Sequence, residues 1–428
     1  MSLRLLTIMG SGETAPTMAK VHRAVVERLG PGPRSALLLD TPFGFQTNAP
    51  EIAARAVDYF RNSVGADLEV AGLRSSADLR GPGAEAILAK LAAASLVFAG
   101  PGSPTYALRQ WRDTLVPSML AEKLAFGGAV TFASAAALTL GARTVPVYEI
   151  YKVGEDPRWV DGLDLLAALG LPAVVIPHYD NAEGGTHDTR FCYLGEERLS
   201  AMEPELPDDT FVVGVDEHTA LSIDFDAGSA TVTGHGVATV RTRGRSATIS
   251  SGETVPLGRL VELAAQLRGE PATRSPSTTP APDRSASAVP GGARGSPLLQ
   301  AIRDHEEAFQ GARLAGDAPA MVAAVLALEE EMWAWRADTM QSDEMDRGRS
   351  ALRAMVTELG QVALSGTRDP VEVVGPYVEL ALSLRESARR DRRFADADDV
   401  RERLVALGVE VHDTPSGSAW GLRGRPLA

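Results

Sequence analysis

Short apolar runs alternate with stretches of helical spacing through the first half of the chain. The apolar runs read LRLLTIM, SALLLD, LEVAGL, SLVFAG, FGGAVTFAS and PAVVIPH. This alternation predicts an α/β fold, in which a mostly parallel sheet carries helices on both faces. From about Thr210 the apolar period becomes two, as in FVVGVDE and ATVTGHGVATVRT, so antiparallel strands are expected to finish this domain. Loops that follow the parallel strands should then meet at one edge of the sheet, where α/β sites form.

The pattern ends at a segment of different composition. Residues 269–297 are almost entirely Pro, Ser, Thr, Ala, Gly and Arg, with too few large apolar side chains to offset the entropy of ordering. We therefore predict a disordered linker between a first domain, 1–268, and a second, 298–428. Helical spacing dominates the second domain, as at Met321, Val325, Leu328 and Met332, and its last residues resemble a small hairpin.

Composition and charge narrow the classes of function. With 428 residues, 44% apolar and 23% charged, the chain is expected to form two or three globular domains. Its one cysteine, Cys192, excludes an internal disulfide and a cysteine zinc cluster, which is typical of a cytoplasmic protein. Apolar runs are too short to span a membrane, so we expect no membrane association. A net charge of −14 argues against DNA binding.

Two segments that end strands carry candidate chemistry. Ser134 follows an apolar run and precedes an alanine-rich helical run, which is the strand, turn and helix context of a nucleophile elbow. His178 follows another strand, and imidazole is the usual base that activates a serine hydroxyl. The pair predicts nucleophilic catalysis, although a serine in this position is also a common helix N-cap.

A serine nucleophile needs two further groups. Backbone N–H groups near Gly100 and Gly102 are candidates for an oxyanion hole, because these glycines permit a tight turn. An acid must also hold the imidazole tautomer. Glu149 follows the Ser134 helix and is our first choice, with Glu155 and Asp156 as rivals.

Other readings of these polar residues remain open. The imidazoles and carboxylates at His178, Asp180, His187 and Asp188 are of metal-ligand type, but their spacing fits no established motif, and we expect no metal. We expect no cofactor either. The glycines of GSG at residues 10–12 form only half of a dinucleotide fingerprint, and no P-loop lysine follows.

Five segments taken in order resemble a known family. They are GSGE (10–13), FAGPGSPTYAL (98–108), ASAAA (133–137), PHYDN with THDTR (177–181 and 186–190), and GVDEHTAL (214–221). Together they resemble the serine peptidases that include aspartyl dipeptidase E and cyanophycinase, which have a class I glutamine amidotransferase-like, flavodoxin-like fold.

The resemblance implies roles for particular residues. Ser134 would be the nucleophile, His178 the base and Glu149 the acid of the family's mechanism. The residues implied to form the oxyanion hole or to bind substrate are Gly100, Gly102, Asn181, Asp216 and Glu217. The implied substrate is a small peptide or amide.

The C-terminal segment RESARRDRRFADADDVRERLVALGVEVHDTPSGSAW, residues 385–420, resembles a second family. It is similar to the C-terminal end of cysteinyl-tRNA synthetases, whose helices and hairpin belong to an anticodon-binding region. No HIGH or KMSKS segment occurs in the chain, so we do not expect it to charge tRNA. Arg385, Arg389, Arg392 and Arg393 would lie along one helix face and are candidates for contacts with RNA phosphates.

Two functions follow from the sequence. The first is a serine peptidase or amidase with an appended domain that recognises tRNA or another protein. The alternative is a catalytically degenerate binding or regulatory protein, in which both parts serve recognition. A solvated helix with internal salt bridges, or a protein-docking surface, would account for the arginines equally well.

Overall fold

The structure is a computed structural model that describes residues 3–30, 35–183, 187–269, 296–338, 344–365, 369–414 and 417–423. Apart from residues 269, 296 and 297, the expected linker lies outside the described residues. The chain divides into two compact units. The first is Met1–Gly295 with Trp333–Ser342, and the second is Ser296–Met332 with Asp343–Ala428.

The first unit combines strands and helices in the expected alternation. Its strands are β1 (Arg4–Met9), β2 (Ala36–Leu38), β3 (Leu68–Val70), β4 (Leu96–Ala99), β5 (Gly128–Ala133), β6 (Arg143–Thr144), β7 (Val160–Asp161), β8 (Ala173–Ile176), β9 (Phe211–Val215), β10 (Thr219–Asp224), β11 (Ser229–Gly234), β12 (Val237–Thr242), β13 (Arg245–Ser250) and β14 (Thr254–Pro256). Its helices are α1 (Ala19–Arg28), α2 (Ala49–Tyr59), α3 (Ala84–Ala93), α4 (Pro104–Trp111), α5 (Val116–Phe126), α6 (Ser134–Leu138), α7 (Gly195–Met202) and α8 (Gly258–Arg268).

The main sheet has eight strands in the order β14-β11-β10-β1-β5-β4-β2-β3. The run from β1 through β3 is parallel, whereas β10, β11 and β14 are antiparallel to their neighbours. A second sheet has the order β13-β12-β9-β8, in which β8 and β9 are parallel. The mostly parallel α/β fold is therefore confirmed. Of the strands expected to be antiparallel after Thr210, β10 to β14 are antiparallel to their neighbours, whereas β9 is antiparallel to β12 but parallel to β8.

Both faces of the main sheet are buried. Successive side chains of a strand point to opposite faces, and in β1 Leu6 and Ile8 belong to one apolar cluster while Leu5 belongs to another. In β5, Val130 and Ala129 divide in the same way. This burial explains why the strands appear in the sequence as continuous apolar runs.

The start of α4 illustrates how local sequence positions an element. Ser103 is its N-cap, and the serine hydroxyl accepts a hydrogen bond from the Tyr106 N–H at 3.1 Å. Pro104 occupies the first helical position, where a missing N–H costs nothing. These two residues set the direction in which the chain leaves the glycine-rich turn after β4.

The second unit is helical and ends in a two-stranded hairpin, as expected. Its elements are α9 (Pro297–Leu314), α10 (Ala318–Ala334), α11 (Glu344–Ser365), α12 (Pro370–Arg390), α13 (Phe394–Ala406), β15 (Val409–Thr414) and β16 (Gly417–Leu422). The last two residues of α10 fall in the first unit. Val378 and Leu382 of α12 pack with Leu404 of α13 and with Val409 and Val411 of the hairpin. Among the described residues, no helix has the length and apolar character needed to cross a bilayer.

The arginines expected to contact RNA are engaged within the second unit. Arg385 is 2% exposed, and its guanidinium binds both oxygens of Asp413, at 2.6 and 3.0 Å. Arg389 binds Asp413 at 2.9 Å, and Arg393 binds Asp396 at 2.6 Å. The prediction that these arginines lie along one helix face that is open to RNA therefore requires correction, because Arg385 faces the hairpin instead of solvent. Arg392 is exposed.

Removing the Arg385 side chain should destabilise the second unit. The Arg385→Ala variant would remove the buried, two-oxygen ion pair to Asp413 and leave the hairpin only the more exposed pair with Arg389, and we expect the free energy of unfolding to fall by about 2 to 3 kcal/mol. Scanning calorimetry of the full chain would detect this as a lower melting temperature for one transition. The Arg392→Ala variant is the matched control and should melt like the wild type. Equal shifts in the two variants would contradict the structural role of Arg385.

Candidate active site

Ser134 lies at the carboxyl end of β5, between β1 and β4 in the main sheet. It is the first residue of α6 and has a φ of 49°, a left-handed conformation that non-glycine residues rarely adopt. Its neighbours Phe132 and Ala136 are fully buried, and the Phe132 ring packs 5.8 Å from that of Trp111. The larger side chains of this turn therefore point into the core, and the half-buried Ser134 hydroxyl is presented at the sheet edge.

Three side chains form a continuous hydrogen-bonded chain at this edge. The Ser134 Oγ is 2.9 Å from the His178 Nε2, and the His178 Nδ1 is 2.8 Å from the Glu217 Oε1. His178 is 8% exposed. This is the order of nucleophile, imidazole and carboxylate that activates a serine in acyl transfer.

Glu217, and not Glu149, is the acid in contact with His178. Glu149 instead accepts a hydrogen bond from the Thr105 hydroxyl at 2.7 Å. The reason lies in the second sheet, where β8 and β9 are parallel neighbours and Ile176 pairs with Gly214. His178 and Glu217 follow these two strands by two residues each, so both emerge at the same edge. We therefore replace Glu149 with Glu217 as the expected acid. The rival Glu155 is engaged by Arg158, and Asp156 is exposed.

The charges around His178 favour its protonated form. Burial by itself would lower the pKa of the imidazole, but the hydrogen bond and charge of Glu217, with the charges of Glu13 and Glu183, raise it above the ordinary value. Burial favours the neutral form of Glu217, yet the hydrogen bonds from His178 and Asn181 lower its pKa. The carboxylate thus stays ionised and is able to stabilise an imidazolium.

The residues expected to bind substrate separate into different roles. Asn181 is fully buried and donates from Nδ2 to Glu217 Oε1 at 3.1 Å, so it orients the acid. The Asp216 Oδ2 accepts the Val237 N–H at 2.8 Å and braces a turn between strands. Asp180 accepts the Glu217 N–H at 2.7 Å. The side chains of Asn181 and Asp216 therefore both form hydrogen bonds within the protein.

A segment of left-handed backbone is hydrogen-bonded to the turn that carries His178. Phe191, Cys192 and Tyr193 all have positive φ, between 56° and 66°, and His178 itself has a φ of 48°. The Cys192 N–H donates to the His178 carbonyl at 3.1 Å, which fixes the turn that carries the imidazole. Such conformations cost free energy and persist where the surroundings determine them. The sequence does not predict this left-handed segment, because none of its three residues is glycine.

Of the two glycines expected at the oxyanion hole, Gly102 is better placed. It lines the cavity in front of Ser134 together with Ala135, whereas the Gly100 carbonyl accepts the Ala136 N–H at 3.2 Å. A Cβ on Gly102 would lie 2.0 Å from the Pro42 carbonyl oxygen, and its φ is 137°, so no other residue fits. Ala135 is the second residue of α6, and the N–H of such a residue has no acceptor within its own helix.

The cavity in front of Ser134 has a volume of about 450 Å³ and a lining of mixed charge. Arg55 and Lys152 contribute cations, while Glu13 and Glu183 contribute carboxylates. Glu13 follows β1, which pairs in parallel with β5. Because loops that follow neighbouring parallel strands meet at the same edge of the sheet, Glu13 lies near Ser134 at this edge. Glu13 is the last residue of the GSGE motif, from which no role for its carboxylate follows.

The residues of the alternative metal site do not converge. His187 is exposed and lies 3.3 Å from the Tyr151 hydroxyl, while Asp188 binds Arg190 at 2.8 Å. Asp180 holds a backbone N–H, as described above, and His178 is engaged by Glu217. Within the ranges that the structure describes, no group of three histidine, cysteine or acidic side chains is arranged to hold a metal ion.

Solved structures similar to this chain include peptidases. A peptidase from an acI-B1 actinobacterium aligns at 19% identity with a TM-score of 0.48, covering 60% of this chain and 97% of that one. A peptidase E-type protein from Listeria monocytogenes EGD-e aligns at 12% identity with a TM-score of 0.36, covering 55% of this chain and 100% of that one. The second of these is named for peptidase E, as is the first sequence resemblance. No family model matches the chain.

Curated sequences similar to parts of the chain are cysteine–tRNA ligases, as the second resemblance implies. A Thermus thermophilus ligase is 30% identical over 172 residues, which is 39% of this chain and 32% of the ligase. That of Nocardioides sp. JS614 is 36% identical over 123 residues, which is 28% of this chain and 22% of the ligase. The matches thus span about a third or less of the ligases' length.

The electrostatics of the site predict how its histidines titrate. Because the neighbouring carboxylates raise the pKa of His178, we expect its imidazole to gain a proton above pH 6.5 as the pH falls. Burial lowers the pKa of His218 to about 4, so that imidazole should stay neutral down to that pH. Histidine NMR of the full chain would separate the two. In Glu217→Gln the pKa of His178 should fall, and an unchanged value would contradict the assigned contact.

Proposed function

We propose that the first unit is a serine hydrolase that cleaves amide or peptide bonds in small substrates. The observation that carries the proposal is the hydrogen-bonded chain from Ser134 through His178 to Glu217. A cavity of about 450 Å³ in front of the serine suits a short peptide better than a folded protein. The sequence resemblance to serine peptidases supports the same reaction.

Each group has a defined step in the proposed reaction. As the Ser134 Oγ attacks the carbonyl carbon, its proton passes to His178 Nε2, and Glu217 stabilises the resulting imidazolium. In this proposal the N–H groups of Gly102 and Ala135, two residues that line the cavity, donate to the developing oxyanion. His178 then returns the proton to the leaving amine as the C–N bond breaks. Water, deprotonated by the same imidazole, hydrolyses the remaining acyl ester.

A raised pKa of the base has a consequence for pH dependence. Only neutral His178 accepts the serine proton, so activity should increase as the pH rises through a value above 6.5. A hydrolase with this arrangement works best at neutral to alkaline pH.

A fluorophosphonate probe tests both the nucleophile and the acid. The reaction forms an Oγ–P bond and releases fluoride, and we expect it to label the wild type and not Ser134→Ala. Glu217→Gln should slow labelling by roughly a thousandfold or more, because an amide holds the wrong imidazole tautomer. Glu149→Gln is the matched control and should label at nearly the wild-type rate, since Glu149 contacts Thr105.

Two results would count against this proposal. If the folded wild type resists labelling between pH 6 and 9, the degenerate binding protein becomes the better account. If Glu149→Gln slows labelling while Glu217→Gln does not, the assignment of the acid fails, although the serine mechanism stands.

For the second unit we propose a role in recognition, with a protein partner favoured over tRNA. Arg385, Arg389 and Arg393 are ion-paired to aspartates of the same unit, which reduces their attraction for phosphates. Tyr377, Leu380 and Leu384 of α12 are 75%, 61% and 60% exposed and lie at helical spacing on one face. An apolar stripe of this kind suits the apolar face of a partner helix.

Binding of bulk tRNA to the full chain distinguishes these partners. We expect an apparent Kd no tighter than about 10 μM at physiological salt, as for non-specific binding. A tighter complex whose affinity falls with salt at a logarithmic slope near −2 to −4 would favour tRNA. In that case Arg392→Glu should weaken binding. Arg392 is chosen because it is exposed, whereas a change at Arg385 would also disturb the fold.

A further inference from the structure

A short segment from far along the chain belongs to the first unit. Trp335–Ala337 forms one helical turn directly after α10, and Trp333–Ser342 groups with the first unit. Trp335 is 2% exposed, and its ring meets that of His218 edge-on at 5.3 Å. Ala337 is 8% exposed and joins the apolar cluster that contains Ile52 and Tyr59 of α2.

Hydrogen bonds also hold the segment in the first unit. The buried Thr14 hydroxyl donates to the Ala337 carbonyl at 2.7 Å. The Asp338 N–H donates to the Trp335 carbonyl at 2.9 Å, which closes the turn. A buried polar contact that is satisfied in this way marks an integral part of the unit. Thr14 also adjoins Glu13, which lines the cavity.

The segment delivers a carboxylate to the catalytic cavity. Asp338 lines the cavity in front of Ser134 and His178. The same cavity is lined by the carboxylates of Glu13 and Glu183 and by the cations of Arg55 and Lys152, so its lining carries both signs of charge.

We propose that Asp338 is a specificity-determining residue that binds a primary ammonium group of the substrate, with Trp335 as the positioning residue that anchors it. This inference rests on the proposed hydrolase function. A carboxylate in a partly desolvated cavity forms a strong, charge-assisted hydrogen bond with an ammonium group. The mixed charge of the lining fits a short substrate that carries both an ammonium and a carboxylate.

A matched pair of phosphonate probes tests the inference on the full chain. One probe is a diphenyl 1-aminoalkylphosphonate with a free amino group, and the other is its N-acetylated counterpart. Both react by forming an Oγ–P bond to Ser134 and releasing phenol. We expect the wild type to react at least tenfold faster with the free amine. Asp338→Asn should remove about tenfold of that rate while changing the rate with the acetylated probe less than twofold.

Control variants separate specificity from folding. The exposed Asp113, which is not part of the cavity lining, provides the matched charge removal, and Asp113→Asn should react like the wild type with both probes. Trp335→Ala should lose discrimination between the probes as Asp338→Asn does. Trp335→Phe, which keeps an aromatic ring against His218, should retain most of it.

The outcomes distinguish this inference from the proposed function. If Ser134 reacts with fluorophosphonate and with both phosphonates, but Asp338→Asn leaves the ratio of rates unchanged, the ammonium site is overturned and the hydrolase stands. If every probe fails to label the folded wild type, the hydrolase is overturned, and the inference with it. A larger loss with the acetylated probe than with the free amine would also reject the assigned role.

Discussion

The buried hydrogen bond between His178 and Glu217 is the contact on which the candidate site depends. It orients the imidazole towards Ser134, keeps Nδ1 protonated and places a negative charge where an imidazolium would form. The parallel pairing of β8 and β9 makes it possible, because both residues leave the same sheet edge shortly after their strands end. The backbone is left-handed at His178 and at residues 191–193, and this strained conformation is a free-energy cost of the arrangement.

In both units of this acidic chain, charged side chains interact with other groups of the same unit. In the first unit, carboxylates at Glu13, Glu183 and Glu217 surround one imidazole and bias it towards the charged form. In the second, Asp413 receives two arginines of α12 and joins the helix to the hairpin. A count of basic residues along a helix therefore says little about binding, since the aspartate that neutralises them lies more than twenty residues away in sequence.

The compact units follow the change in composition along the chain except at one segment, Trp333–Ser342, which belongs to the first unit. A segment poor in large apolar side chains cannot form a core of its own. Its composition does not predict, however, whether a segment later in the chain packs against the core before it or the core after it. Trp335 and Ala337 follow a helix of the second unit, yet their burial occurs against His218 and α2. Through Asp338, a residue from beyond the composition break reaches the cavity that holds Ser134.

The sequence by itself determined the class of fold and two members of the hydrogen-bonded chain. Apolar period, turn residues and strand-end position are local signals that made Ser134 and His178 candidates, and the resemblance to serine peptidases supported the choice of both. Tertiary structure alone decided which carboxylate contacts His178, because Glu149 and Glu217 are equally plausible by type, and the β8 and β9 pairing brings Glu217 within 2.8 Å of the imidazole. It also decided that Arg385 is buried and that Asp338 lines the cavity. These outcomes depend on contacts between residues distant in sequence, whose separation in space no local pattern encodes.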